Sequence, residues 1–202
     1  MKLYDLPLSG NCHKIRLFLS ILNIPYEKIA VDFQDEAKKA AFSQINPRAQ
    51  VPVLDDSGTV IWDSMAILVY LARQYGGETW LPSEAKPLAN VMQWLALSEN
   101  EILYGLARSR AINLFKRPWD LAQCQEMGSL ALRVVEERLS EHPWLANDRI
   151  SIADIACYPY VALAPEGGLP LDDYPHIRQW CARIQALPGF VGMPGLPETV
   201  ST

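Results

Sequence analysis

The residues placed to carry chemistry in this chain are Ser9-Gly10-Asn11-Cys12. With sulfur at both ends the spacing would be a redox Cys-x-x-Cys pair. Here a hydroxyl, Ser9, holds the first place and only Cys12 carries sulfur. A hydroxyl cannot form a disulfide. It can donate a hydrogen bond to a thiolate that comes from elsewhere, and Asn11 offers a second neutral donor beside it. The stretch is therefore suited to holding an external thiol. A cysteine-type thiol has a pKa of about 8.5, so only a few per cent is thiolate at neutral pH. Each unit of lowering takes about 1.4 kcal/mol of preference for the anion. A hydroxyl donor and the positive end of a following helix are suited to supply it.

Positioning such a group requires a strand before it and a helix after it. Lys2 to Leu6 reads as a short strand, and Lys14 to Leu22 as a helix with Ile15, Phe18, Leu19 and Leu22 on one face. Tyr26 to Val31 reads as a second strand and Glu36 to Ser43 as a short polar helix. Val51 to Leu54 and Thr59 to Trp62 flank the turn Asp55-Asp56-Ser57-Gly58, a hairpin signal. Ser64 to Tyr75 is again helical. The order β-α-β-α-β-β-α makes an α/β layer domain.

Beyond Gly76-Gly77 the strand signals vanish. Helices are expected from Pro87 through Arg117, from Pro118 to Leu139, over Ile152 to Ala164 and over Pro175 to Leu187, with an irregular tail after Pro188. The division expected is 1–76, a linker 77–84, and an all-helical 85–202. Ser151-Ile152-Ala153-Asp154 is a capping-box pattern, so Asp154 is read as structural, not catalytic.

Composition narrows the function. The chain has 202 residues, half of them apolar, with a net charge of -5, which disfavours a nucleic-acid surface. No apolar run approaches the roughly 20 residues that span a bilayer. An acidic residue and a proline arrive too early for a signal peptide. Four scattered cysteines, Cys12, Cys124, Cys157 and Cys181, fit no metal site and point to a reducing, cytosolic compartment. Cys157 and Cys181 are expected in the core and Cys12 as a small buried residue. Tyr4 is expected to pack, and His13 to lie on a helix surface.

Taken together, four fragments make the whole chain resemble a cytosolic glutathione S-transferase. They are Ser9-Gly10-Asn11, Ile45-Asn46-Pro47 leading into Gln50-Val51-Pro52-Val53-Leu54, Asp63-Ser64-Met65-Ala66-Ile67, and Ser151-Ile152-Ala153-Asp154. The resemblance implies an α/β thioredoxin-like N-terminal domain and an all-α C-terminal domain. It implies a cis bond at Val51-Pro52, which turns the Val51 backbone outward to pair with a peptide-like ligand. Ser64, placed at a helix N-cap, would hold the γ-glutamyl carboxylate, and Asp63 the α-ammonium. Gln50 and Lys38 would meet the glycyl carboxylate, with Arg48 a further candidate. Ser9 would be the first partner of the glutathione thiolate and Asn11 the second. Tyr104, Arg108, Arg110 and Phe115 are spaced so that some could line an electrophile pocket, Tyr104 and Arg108 foremost.

The activity implied is conjugation of the glutathione thiolate to small, largely apolar electrophiles, a detoxifying transferase. Glutathione would be a cosubstrate, with no metal needed. The partners implied are glutathione, an electrophile and a second copy of the chain as a homodimer, with no nucleic acid or membrane. Two rivals share the site: a glutathione-dependent disulfide or peroxide reductase, and a non-catalytic glutathione-binding or docking module.

Overall fold

The structure, a computed structural model, describes residues 1–196. Its first part runs β1 (Lys2–Asp5), α1 (Gly10–Ile21), β2 (Glu27–Ala30), α2 (Glu36–Ile45), β3 (Val53–Asp56), β4 (Thr59–Trp62) and α3 (Ser64–Leu71). The sheet order is β2-β1-β3-β4. β1 lies parallel to β2, with Leu3 opposite Lys28, and antiparallel to β3, with Leu3 opposite Leu54. Both leucines are fully buried. Ser57 and Gly58 join β3 to β4 at φ of 54° and 94°, the hand that matches strand twist in a two-residue hairpin.

The second part is helical: α4 (Ala85–Leu97), α5 (Arg108–Phe115), α6 (Leu121–Glu141), α7 (Ile152–Ala162) and α8 (Pro175–Gln185). A π-helical segment, Ser98–Ala107, joins α4 to α5 without a break. Every residue of α7 is buried, and this helix packs on both α1 and α4. An apolar helix without a polar face belongs in an interior. The architecture is thus a thioredoxin-like α/β domain followed by an all-helical one. Among the described residues, no helix is long and apolar enough to cross a membrane.

Several boundaries differ from expectation, each for a local reason. α1 begins at Gly10, not Lys14, because the Ser9 Oγ accepts the Cys12 N–H at 3.2 Å and so caps the helix earlier. β3 begins at Val53, because Val51-Pro52 forms a cis turn outside the ladder. Asp63, not Ser64, is the N-cap of α3. α3 ends at Leu71 and passes into a π-helical turn, Ala72–Gly76. Asp120, not Pro118, opens α6, its carboxylate accepting the Gln123 N–H. After Pro188 the described chain holds no helix or strand; residues 197–202 lie outside the described residues.

The expected capping box is present, and Asp154 does more than cap. Its carboxylate accepts the N–H groups of Ser151 and Leu145 and the Trp180 indole Nε1–H, joining three segments inside the core.

His13 is a correction. It is fully buried instead of lying on the surface. Its Nε2–H donates to the Val191 carbonyl at 2.8 Å, while Nδ1 is buried without a partner. Protonation would place a second N–H where nothing accepts it. Burial therefore lowers the His13 pKa to about 4, and the nearby Arg16 charge acts the same way. Above about pH 6.5 the imidazole is neutral in folded and unfolded chains alike. Between 6.5 and about 4 only the unfolded chain takes up the proton, so stability falls as pH drops through that window. Urea midpoints measured across it are expected to decline, and His13→Gln, which keeps a donor for Val191, to show a shallower decline.

Candidate functional site

The turn between β1 and α1 is held by its carbonyls. Arg16 pairs with Asp5 in the interior, and its guanidinium donates to the Leu6 oxygen at 3.2 Å and the Pro7 oxygen at 3.0 Å. Arg110, reaching from α5, donates to the Leu8 oxygen at 2.8 Å and pairs with Glu166. Two buried guanidinium groups thus fix three consecutive carbonyls. Removing such cations from water is costly unless their donors are engaged; both Arg16 terminal nitrogens and the Arg110 Nε and Nη1 have acceptors, while Arg110 Nη2 is buried without one.

α1 then begins with unpaired N–H groups. Ser9 takes that of Cys12, and the Tyr160 hydroxyl accepts that of Asn11 at 3.3 Å. A Cβ on residue 10 would come within 2.6 Å of the Tyr160 ring, so glycine is needed there. Beneath this turn lies Lys14, wholly buried. Its Nζ donates to the Ser98 Oγ at 3.2 Å and sits 5.5 Å from the Tyr160 ring centroid. Burial lowers its pKa to about 8, against the pull of nearby Glu99.

A second wall is the loop before β3. The buried Asn46 side chain donates to the Gln50 carbonyl at 2.7 Å and accepts the Arg48 N–H at 2.9 Å. This folds the loop into the cis Val51-Pro52 turn. The N–H and C=O of Val51 take no partner among the described residues.

The third wall is the start of α3. Asp63 adopts φ 79°, ψ 128°, a backbone region that non-glycine residues rarely enter. One carboxylate oxygen accepts the Met65 N–H at 2.9 Å; the other takes the Arg48 guanidinium at 2.9 Å. The adjacent Ser64 is buried, and its hydroxyl has no partner among the described residues.

These walls and the helical domain enclose a cavity of about 540 Å³. Asn11, Gln50, Val51, Pro52, Asp63, Ser64, Tyr104 and Arg108 all line it. Ser9 does not line it; it sits behind Asn11 at the helix cap. Lys38 lies elsewhere. Its side chain is 63% exposed and pairs with Asp35, the N-cap of α2, at 3.5 Å and with Asp32 of the preceding loop at 3.2 Å. Of the weaker pocket candidates, Arg110 is buried in the turn clamp and Phe115 is exposed away from the cavity.

Sequence reasoning missed Glu99, Trp119 and Tyr160, which also line the cavity, and the buried Lys14 below it. Glu99 Oε1 is buried with no hydrogen-bond partner, and burial raises its pKa. A lysine amid the apolar run of α1 is the one signal that could have drawn attention to Lys14.

Residues 1–73 match the profile of the Glutathione S-transferase, N-terminal domain, and residues 119–188 that of the Glutathione S-transferase, C-terminal domain. The chain belongs to the glutathione S-transferase family. Among curated relatives, the disulfide-bond oxidoreductase YfcG of Escherichia coli K12 is 30% identical over 197 residues, covering 92% of this chain and 90% of its own. The glutathione S-transferase GstB of the same organism is 30% identical over 190 residues, covering 89% and 90%. A crystal structure of a glutathione S-transferase from Pseudomonas fluorescens superposes with a TM-score of 0.88 at 38% identity, covering 96% of this chain and 98% of the other. Enzymes of this family use glutathione as a cosubstrate.

This member of the family has no reactive sulfur of its own on view. All four cysteines are free and buried. Burial pushes the Cys12 thiol up to about 12 despite the Ser9 hydroxyl beside it, and it likewise raises Cys124, Cys157 and Cys181. A protonated, shielded thiol is inert as a nucleophile. Titration with an aromatic disulfide reagent is expected to detect no fast-reacting thiol in the native protein and all four after denaturation.

Proposed function

We propose that the cavity binds glutathione and ionises its thiol at the first turn of α1, and that the thiolate attacks small, largely apolar electrophiles. One observation carries this reading. Unpaired polar groups of Val51, Ser64 and Glu99 converge on the cavity that Asn11 lines, while the chain's own thiols are buried. Residues 1–76 would bind glutathione, residues 85–202 would supply the electrophile side, and residues 77–84 would link them.

The γ-glutamyl carboxylate belongs at Ser64, on the positive end of α3. Its ammonium has two carboxylates within the cavity. Asp63 is already paired with Arg48, so Glu99, with a buried oxygen lacking a partner, is the stronger acceptor. The cysteinyl unit would pair with the Val51 backbone, and Gln50 would donate to the glycyl carboxylate. Lys38, on the outer surface, has no part in this reading. At the sulfur, Asn11 becomes the cavity-lining donor and Ser9 the donor at the cap. The thiol proton leaves to water. The sulfur pair then forms the new S–C bond as the leaving group departs with its electrons.

A second reading rests on the identity to YfcG, named a disulfide-bond oxidoreductase. The same thiolate would attack a disulfide sulfur, expelling one thiolate, and a second glutathione would resolve the mixed disulfide. The protein is read as a cytosolic homodimer. Exposed Val60 and Trp62 on edge strand β4 support a second copy as partner.

Asn11→Ala is expected to lower turnover at least tenfold while glutathione affinity, read by calorimetry, stays within about threefold. Ser9→Ala is expected to lower turnover less, and to cost about 1 kcal/mol of stability through loss of the cap. Ser64→Ala is expected to weaken glutathione binding by about 1–2 kcal/mol, the range for a hydrogen bond to charge. Parallel assays with an aryl halide, a hydroperoxide and 2-hydroxyethyl disulfide discriminate transferase, peroxidase and disulfide reductase. Binding with turnover of none would identify a docking module.

A further inference from the structure

We propose that the second substrate carries an anionic group, a carboxylate or sulfonate on an apolar body, and that Arg108 receives it. This rests on the glutathione reading above and specifies the other half of the cavity.

Arg108 is held in place before any ligand arrives. Its guanidinium carbon lies 4.2 Å from the Tyr104 ring centroid and 4.8 Å from that of Trp119. All three residues line the cavity. A cation between two rings is stabilised by their electron-rich faces. The planar guanidinium keeps its in-plane N–H edge available for a two-pronged hydrogen bond to an oxyanion.

No acceptor in the protein uses that edge. Among the described residues, Arg108 forms no ion pair and donates to no oxygen. Two other arginines nearby are engaged: Arg48 by Asp63, and Arg110 by Glu166 and the Leu8 carbonyl. Arg117 lines the same end of the cavity and adds a second positive charge. The carboxylates lining the cavity are Asp63 and Glu99, both assigned above to the glutathione half. Asp120 is near enough to act with Arg108 on the Cys124 thiol, but its carboxylate caps α6. A positive end whose cation has no ion-pair partner among the described residues favours an anionic ligand.

Glutathione's own carboxylates have places at Ser64 and Gln50, so the anion at Arg108 belongs to its reaction partner. Leu103, Ala107 and Ala111 provide apolar wall for the rest of that molecule. The carrier is either a carbon electrophile or a disulfide, and the two can be assayed separately. In the first case the thiolate pair forms the S–C bond and the halide leaves with the C–halogen pair. In the second it forms an S–S bond and the displaced thiolate leaves.

The test compares 4-chloro-3-nitrobenzoate with its neutral isostere, 4-chloro-3-nitrobenzamide, each rate divided by its uncatalysed rate. A second pair is dithiodiglycolate and 2-hydroxyethyl disulfide. The quantity read is the charged-to-neutral ratio of kcat/KM. Arg108→Gln is expected to lower that ratio by roughly ten- to hundredfold for at least one pair. Arg108→Lys should restore part of it, and Trp119→Leu, which keeps the charge but removes one ring, should lower it less. Added salt should reduce the ratio in the wild-type protein. A ratio unchanged within twofold in Arg108→Gln for both pairs would overturn the anion site. Glutathione calorimetry on the same proteins separates the failures: intact binding with an unchanged ratio removes only this inference, whereas absent binding removes the glutathione reading beneath it.

Discussion

Two guanidinium groups hold the turn on which the site depends. Arg16 and Arg110 together fix the carbonyls of Leu6, Pro7 and Leu8. Each is neutralised by a carboxylate, Asp5 and Glu166. Arg16 belongs to the helix that follows the turn, and Arg110 to the helical domain. The turn is therefore pinned from both domains, and with it the direction in which α1 presents its first N–H groups. Backbone carbonyls have a strong need for donors when removed from water. Supplying them with charged donors makes the geometry stiffer than neutral pairing would, because charge-assisted bonds are roughly twice as strong.

The same economy of partners recurs around the cavity. Asn46 shapes the Val51-Pro52 loop by bonding its backbone on both sides. Asp63 caps α3 with one oxygen and restrains Arg48 with the other, from a backbone conformation that would otherwise be unfavourable. Lys14, buried below the cavity, and Glu99, in its wall, bring opposite charges near one another where burial lets electrostatic effects carry farther than at the surface. Among the described residues, the groups left unpaired around the cavity include the Val51 backbone, the Ser64 hydroxyl, an oxygen each of Asn11 and Glu99, and the Arg108 edge. These are the groups a ligand can satisfy.

Much of the arrangement was legible in the chain itself. The element order, the hairpin at Ser57-Gly58 and the capping box at Ser151 all follow from local chemistry that neighbouring residues determine. The likeness of Gln50-Val51-Pro52 and Asp63-Ser64 to a known family located most of the cavity wall. What escaped reading depends on contacts between distant segments. A buried arginine such as Arg16 has the same one-letter signature as a solvated one. His13 looked superficial because its partner is Val191, 178 positions away. Lys38 looked available because nothing local showed that the loop and cap before α2 bring Asp32 and Asp35 to it. Ser64 and Asp63 are both good caps, and only the backbone angle decides between them.

The His13 contact also bears on how the protein is made. Val191 lies 178 positions beyond His13, yet it bonds the helix that carries the first turn of the site. α7, synthesised long after α1, covers another side of it. A ribosome that has released only the first eighty residues has produced a sheet whose principal helix still lacks both covers. Domains usually fold in order of synthesis; here part of the cover over the first domain's principal helix comes from segments that leave the ribosome more than a hundred residues later.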